Sequence, residues 1–221
     1  MGQSLIGIIA TIIIVVIFLI MKKKGFSSTA NALAGNFSQK FCSLTGLTAG
    51  SDDFSGTYKD YVFNVKSEMG TDYAQAIQMK GMKVYPKLTV ILRAAGSSFP
   101  YTVLREEHNV LVDTNQKLNS LITGGGGPLP AELSSLKGKL PRVNGVYSEE
   151  EAFAAKVVSD QELSALLSNW FYPNIILQGD RIVLRLDHEN AQKKFGERMI
   201  SPTYWVEAMD ICVRLADVAR G

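Results

Sequence analysis

An apolar run near the N-terminus, Leu5–Met21, is the strongest pattern in the sequence, and its only interruptions are Gly7, Ala10 and Thr11. It contains no charged residue, and Lys22, Lys23 and Lys24 follow it directly. A helix rises about 1.5 Å per residue, so about 17–25 apolar residues are needed to cross the hydrocarbon core of a bilayer. The pattern therefore predicts a transmembrane anchor with a lysine stop over residues 1–24.

The lysine stop also predicts the orientation of the chain. Lysines next to a span stay on the cytoplasmic side, where anionic lipids hold them. We therefore expect these three lysines at the inner interface of a bacterial cell membrane, the N-terminus outside, and a cytoplasmic domain after a single pass. A cleaved signal peptide would need positive side chains before the apolar run, and Met1–Ser4 has none. The alternative is a helix buried in a protein core, which is also apolar all round.

A short tether and an amphipathic helix are predicted for residues 25–54. Apolar side chains recur there at spacings of three and four residues, at Ala30, Leu33, Ala34, Phe37, Phe41 and Leu44. Helices that lie on membranes are usually rich in Lys and Arg, and Lys40 is the single basic side chain in this stripe. The stripe therefore favours packing against a protein core.

Alternation of apolar and polar residues then predicts strands. Gly56–Met69 is predicted as one strand, with Tyr61, Phe63 and Val65 on one face and Val62, Asn64 and Lys66 on the other. Met82–Ala94 alternates in the same way, and its inward positions are Val84, Leu88, Val90 and Leu92 and its outward positions Lys87, Thr89 and Arg93. Pro86 favours an edge position or a bulge because proline lacks a backbone donor. Pro100–Glu107 predicts a further strand. The short connections favour an antiparallel meander.

Glycines and prolines predict a flexible loop near residues 123–131, centred on Gly124–Gly127. A phosphate-binding P-loop would need Gly-Lys-Ser/Thr after a strand, and the sequence has none. Residues 131–147 are predicted to be loop or short helix.

Helices and a hairpin are predicted beyond this loop. Ser159 and Glu162 match a capping box that opens a helix. Gly179-Asp180 predicts a two-residue turn between strands Asn174–Gln178 and Arg181–Asp187. The second of these strands alternates, with Ile182, Leu184 and Leu186 on one face and Arg181, Val183, Arg185 and Asp187 on the other. Ser201-Pro202 predicts the start of the final helix. Residues 55–221 are therefore expected to form an α+β domain with a mostly antiparallel sheet packed by helices.

Charge and cysteine usage limit the classes of partner. The chain has 23 Lys and Arg against 21 Asp and Glu, and the lysine stop accounts for the excess of positive charge. A domain so close to neutral lacks the overall charge of a nucleic-acid binder, so we expect no nucleic-acid partner. Cys42 and Cys212 are the two cysteines, and a cytoplasmic domain would keep both reduced.

No catalytic pattern emerges from the polar residues. His108 and His188 are the two histidines, and each lies beside carboxylates, in Glu106-Glu107-His108 and Asp187-His188-Glu189. Neighbouring residues on a strand point to opposite faces, so a metal site would require the two segments to lie side by side. The sequence contains no Gly-x-Ser-x-Gly elbow. We therefore expect no catalytic residues, no cofactor and no bound metal.

Two surfaces are candidates for contact with a partner. Small residues allow close approach of helices in lipid, so Gly7 and Ala10 are candidates within the span. Trp170, Phe171 and Tyr172 form an aromatic cluster of the kind that anchors interfaces, although the same cluster could equally belong to the core.

The order of elements resembles that of bacterial membrane-anchored domains of unknown function. The similarity lies in the strands Tyr61-x-Phe63-x-Val65 and Leu88–Leu92, in the apolar positions from Phe153 to Leu167, and in the terminal hairpin and helix. It covers about residues 55–219 and includes no diagnostic motif. The resemblance implies an α+β fold and no particular activity, and no functional residue follows from it.

The sequence as a whole favours a non-catalytic accessory or scaffold subunit that is held in the bilayer and binds a partner protein in a membrane complex. A membrane-tethered enzyme or small-ligand sensor, with a site built from scattered polar residues, is the alternative. A module that binds the lipid surface directly is the third hypothesis.

Overall fold

The computed structural model of the chain describes residues 37–51, 53–67, 88–106, 129–168, 173–186 and 201–221. Within these ranges, no helix is both long and apolar enough to cross a membrane. The predicted span Leu5–Met21 lies outside the described residues, as do the lysine stop, the loop around Gly124–Gly127 and both histidines.

The described residues form an α+β fold with helices and one antiparallel sheet, as the sequence predicts. The strands are β1 (Thr48–Ala49), β2 (Asp53–Tyr58), β3 (Tyr61–Ser67), β4 (Leu88–Arg93), β5 (Phe99–Arg105), β6 (Gly145–Ser148), β7 (Pro173–Gly179) and β8 (Arg181–Leu186). The helices are α1 (residues 37–45), α2 (Glu151–Val158), α3 (Gln161–Ser168) and α4 (Pro202–Arg220), and a 3₁₀ turn covers Ser134–Leu136.

The eight strands lie in the order β1-β2-β3-β4-β8-β7-β5-β6, and every neighbouring pair is antiparallel. The predicted meander holds only from β1 to β4, because the β7–β8 hairpin lies between β4 and β5. The short connection between those strands passes the tip of the hairpin, where the Ala94 amide donates to the Asp180 carbonyl at 2.7 Å. The described part of β4 is therefore an interior strand and not an edge strand, while Pro86, where a bulge is the alternative, lies outside the described residues.

Two tight turns set the register of the hairpins. The single strand predicted over Gly56–Met69 is wrong, because Lys59 and Asp60 form a turn that divides it into β2 and β3. Both turn residues have positive φ, at 47° and 66°, which matches the twist of a two-residue hairpin turn. The predicted turn at Gly179-Asp180 is confirmed, and Gly179 takes the left-handed backbone conformation with φ 58°.

The main core lies between one face of the sheet and the helices. The alternation correctly predicts that Tyr61, Phe63 and Val65 are buried on this face. Helix α4 packs on β4 and β8, while α2 and α3 pack against α4. Trp205 of α4, 1% exposed, lies within 4.9 Å of Phe37 and 5.5 Å of Phe41 between ring centroids. Phe37 and Phe41 of the predicted stripe therefore pack in the protein core, whereas Leu44 is 46% exposed; Ala30, Leu33 and Ala34 lie outside the described residues.

Helix α3 begins one residue later than the capping box predicts. Asp160, rather than Ser159, is its N-cap, since an Asp160 carboxylate oxygen accepts the Leu163 amide at 2.7 Å. Arg214 of α4 donates to both oxygens of the same carboxylate, at 2.9 and 2.6 Å. These hydrogen bonds lower the pKa of the Asp160 carboxyl below its usual value. A single carboxylate therefore caps α3 and fastens it to α4.

We expect Asp160→Ala to lower the free energy of unfolding by about 2 kcal/mol, since it removes a cap and a partly shielded ion pair. Asp160→Asn keeps an acceptor for the cap and should cost about half as much. Because folding depresses the pKa of Asp160, its charge stabilises the fold above pH about 4, and this contribution is lost as the pH falls through the folded pKa. Circular dichroism can follow the unfolding of the full-length protein in detergent at pH 7 and at pH 3. The difference in the free energy of unfolding between wild type and Asp160→Asn should be smaller at pH 3 than at pH 7.

Candidate binding groove

The second face of the sheet, opposite the helices, carries the side chains that alternate with the core residues. The strand register aligns them in rows across the sheet. One row contains Val62, Arg93 and Arg181, and the next contains Asn64, Ile91 and Val183. Lys66 lies in a third row, two residues further along β3. These side chains come from strands that are far apart in sequence.

A groove of about 440 Å³ runs along the middle row. We call it the cationic groove and define it by Asn64, Lys66, Ile91, Arg93, Arg181 and Val183, all of which line it. Ile91 is half-buried and Val183 is buried, so they form an apolar floor. Val62 lies at the rim and is 53% exposed. The groove therefore combines an apolar floor with positively charged walls.

The charges in the groove are only partly compensated. Among the described residues, neither Lys66 nor Arg93 forms an ion pair, and both are exposed. Arg181 approaches Asp180 at 3.6 Å, between Nε and Oδ1, on the exposed hairpin turn. Asp53, opposite Lys66 on β2, accepts a hydrogen bond from the Asn64 amide instead. The groove thus presents positive charge to solvent.

Arg93 and Arg181 are directly opposite each other on β4 and β8. Side chains at directly opposed positions have Cβ atoms about 4.5–5.5 Å apart, and like charges there destabilise a sheet. A pair of arginines at this position is therefore unfavourable for folding and favourable for holding an anionic group. The effect of these two arginines on the stability of the fold therefore distinguishes a structural role from a binding role.

We expect Arg181→Gln to leave the free energy of unfolding unchanged or to raise it by about 0.5 kcal/mol, because it removes the repulsion. Arg214→Gln is the matched control, since the two arginine side chains are 34% and 31% exposed. Arg214 is paired with Asp160 and Glu162, so its replacement should lower the free energy of unfolding. Thermal unfolding of both variants measures the difference; a loss of stability in Arg181→Gln would assign a structural role to Arg181.

One end of the groove meets a small apolar cluster. Tyr101, Val103, Ile176 and Val183 are all buried on the second face. Beyond them, Arg105 stacks on the ring of Tyr147 at 4.6 Å and donates to its hydroxyl at 2.7 Å. Arg105 is therefore held by an aromatic partner, unlike Arg93 on the groove wall.

The polar groups on the helical side of the sheet have structural partners. The Tyr61 hydroxyl donates to Asp217 at 2.5 Å, and Arg220 lies 4.7 Å above the Tyr61 ring. Burial, together with this hydrogen bond, raises the pKa of Tyr61 to about 12, so the hydroxyl stays protonated at neutral pH. These contacts join the C-terminal end of α4 to β3 and need no ligand to explain them.

The predicted partner and membrane residues all lie outside the described residues: Gly7, Ala10, Lys22, Lys23, Lys24, Trp170, Phe171 and Tyr172. The two His–carboxylate segments are likewise outside, apart from Glu106. Over the part of the chain that the structure describes, no group of three or more His, Cys, Asp and Glu side chains could hold a metal ion. Both cysteines are free thiols, and Cys212 is buried.

The groove itself was not predicted from the sequence. The alternation identified the outward residues of β3, β4 and β8 strand by strand. The missing information was the strand order, because nothing local in the sequence puts β8 beside β4. The local signal for the groove is a pair of outward arginines, Arg93 at the end of β4 and Arg181 at the start of β8.

The comparisons with known proteins assign no identity to the chain: no protein-family model matches it, and no curated protein matches it significantly.

Proposed function

We propose that the protein is a single-pass, membrane-anchored accessory or scaffold subunit that binds a partner protein in a membrane complex and does no catalysis itself. The apolar run Leu5–Met21 would hold it in a bacterial cell membrane, and the lysine stop would keep the domain on the cytoplasmic side. The observation that carries the proposal is the cationic groove, which lies on the face of the sheet that the described helices leave uncovered.

The chemistry of the groove supports binding to a protein. Positive charge on a partly apolar surface attracts an acidic partner electrostatically, and the apolar floor adds area that water leaves on binding. Val62, half-exposed at the rim, extends the apolar part of this surface. The opposed arginines weaken the sheet, as residues kept for binding often do.

A small-ligand sensor is the second candidate function. The volume of the groove, about 440 Å³, falls in the range of small-molecule pockets, about 300–1,000 Å³. Such pockets usually enclose most of the ligand surface, whereas this groove is open along a sheet face with Val62 half-exposed at its rim. The open shape favours a protein partner.

Purification of the tagged full-length protein from its native membrane in a mild detergent tests the proposal. We expect a protein to co-elute in a fixed ratio, identified by mass spectrometry. Elution of the chain alone, both with and without prior chemical cross-linking of intact cells, would contradict the proposal. Binding of a small molecule by the purified chain, with no co-eluting protein, would favour the sensor instead.

A further inference from the structure

The walls and the floor of the cationic groove differ in chemistry. Arg93 and Arg181 form one wall, Lys66 lies on the other side, and the floor consists of Ile91 and Val183. We infer that the groove binds an extended acidic segment of the partner protein that also carries aliphatic side chains. This inference rests on the proposed function and names the chemistry of the partner.

The dimensions of the groove set the length of the segment. Neighbouring strands lie about 4.8 Å apart, so the groove spans about 14 Å from β2 to β8. An extended chain advances about 3.3 Å per residue, so four or five residues fill it. The row that contains Arg93 and Arg181 and the row that contains Lys66 lie four residues apart along the strands, which is about 13 Å. Both charged rows therefore lie within reach of long glutamate side chains on a chain that lies over the floor.

The same features argue against a bilayer surface as the ligand. A membrane interacts with projecting cations on a flat or convex surface, and a recessed aliphatic floor with three cations gives it little to contact. An acidic peptide that carries aliphatic side chains uses the walls and the floor together.

Fluorescence anisotropy on the full-length protein, in nanodiscs of neutral phosphatidylcholine, tests the inference. The probe is a fluorescein-labelled octapeptide of alternating Glu and Leu. Its controls are the corresponding Lys-Leu peptide and an all-Glu octapeptide. We expect the Glu-Leu peptide to bind most tightly and the Lys-Leu peptide not to bind, with affinity falling as salt rises.

Arg93→Gln with Arg181→Gln should weaken binding of the Glu-Leu peptide at least about tenfold. The matched control is Lys40→Gln with Lys156→Gln, which removes the same charge from exposed positions on the helical side and should change nothing. Equal weakening by both pairs, or equal binding of all three peptides, would overturn the inference. The inference would also be overturned if the protein bound anionic phosphatidylglycerol vesicles through the same arginines and did not bind the peptide.

Failure of the inference and failure of the proposed function are distinguishable. A partner that co-elutes equally with wild type and with the Arg93/Arg181 variant would overturn the acidic-segment inference and leave the accessory role intact. Peptide binding without any co-eluting partner would support the groove chemistry and count against the accessory role.

Discussion

Trp205→Ala is expected to lower the free energy of unfolding by about 3–5 kcal/mol, because it opens a cavity at the centre of the core. The indole is 1% exposed and meets three phenylalanine rings edge-on, those of Phe37 and Phe41 of α1 and Phe54 of β2, with the last at 6.0 Å. Its removal would therefore loosen α1, the sheet and α4 together. For a chain of this size, we expect the melting temperature to fall by about 10 °C.

Circular dichroism of the full-length protein in detergent measures this loss through the thermal unfolding of its helices and sheet. Val62→Ala is the control, since Val62 is 53% exposed and its truncation should change the free energy of unfolding by less than about 0.5 kcal/mol. A loss below about 1 kcal/mol in Trp205→Ala would show that α1 does not depend on the indole for its packing.

Arg93→Glu combined with Arg181→Glu is expected to weaken partner binding about 100-fold, because the reversal replaces attraction with repulsion along one wall of the groove. The fold should persist, since the two glutamates repel each other much as the arginines do. Quantitative mass spectrometry of material purified from native membranes would measure the amount of partner recovered per subunit.

Lys40→Glu with Lys156→Glu is the control for this experiment, because it makes the same change in net charge at exposed positions away from the groove. We expect its partner recovery to match that of wild type. Equal loss in both double variants would point to the net charge of the domain, and no loss in either would rule out the groove as the binding surface.

Local patterns in the sequence predict most of the individual elements. Alternation gives the correct inward faces of β3, β4 and β8, and the glycine at 179 gives the correct turn. The hairpin turn at Lys59-Asp60 is missed because neither residue is glycine or asparagine, the usual residues at positive φ. Strand β6 is missed because it is short, at four residues, and its ladder is formed with β5, which lies about 40 residues earlier in the chain.

The spatial order of the strands could not be predicted from local patterns. The economical meander fails where the β7–β8 hairpin enters between β4 and β5, since that pairing depends on contacts between residues far apart in the chain. The shift of the helix cap from Ser159 to Asp160 has a similar cause: Arg214, on a distant helix, binds the aspartate. The cationic groove depends on this strand order, so its residues were predicted as outward-facing but not as neighbours.

Site-specific photo-crosslinking in living cells tests most directly whether the open sheet face binds a partner. A photoreactive phenylalanine analogue would replace Val62 at the rim of the groove or, as a matched control, Leu44 on α1. These are the two exposed large apolar side chains in the described ranges, at 53% and 46% exposure. We predict a covalent adduct with one partner protein from position 62 and little or none from position 44. No adduct from position 62, or equal adducts from both positions, would contradict the account.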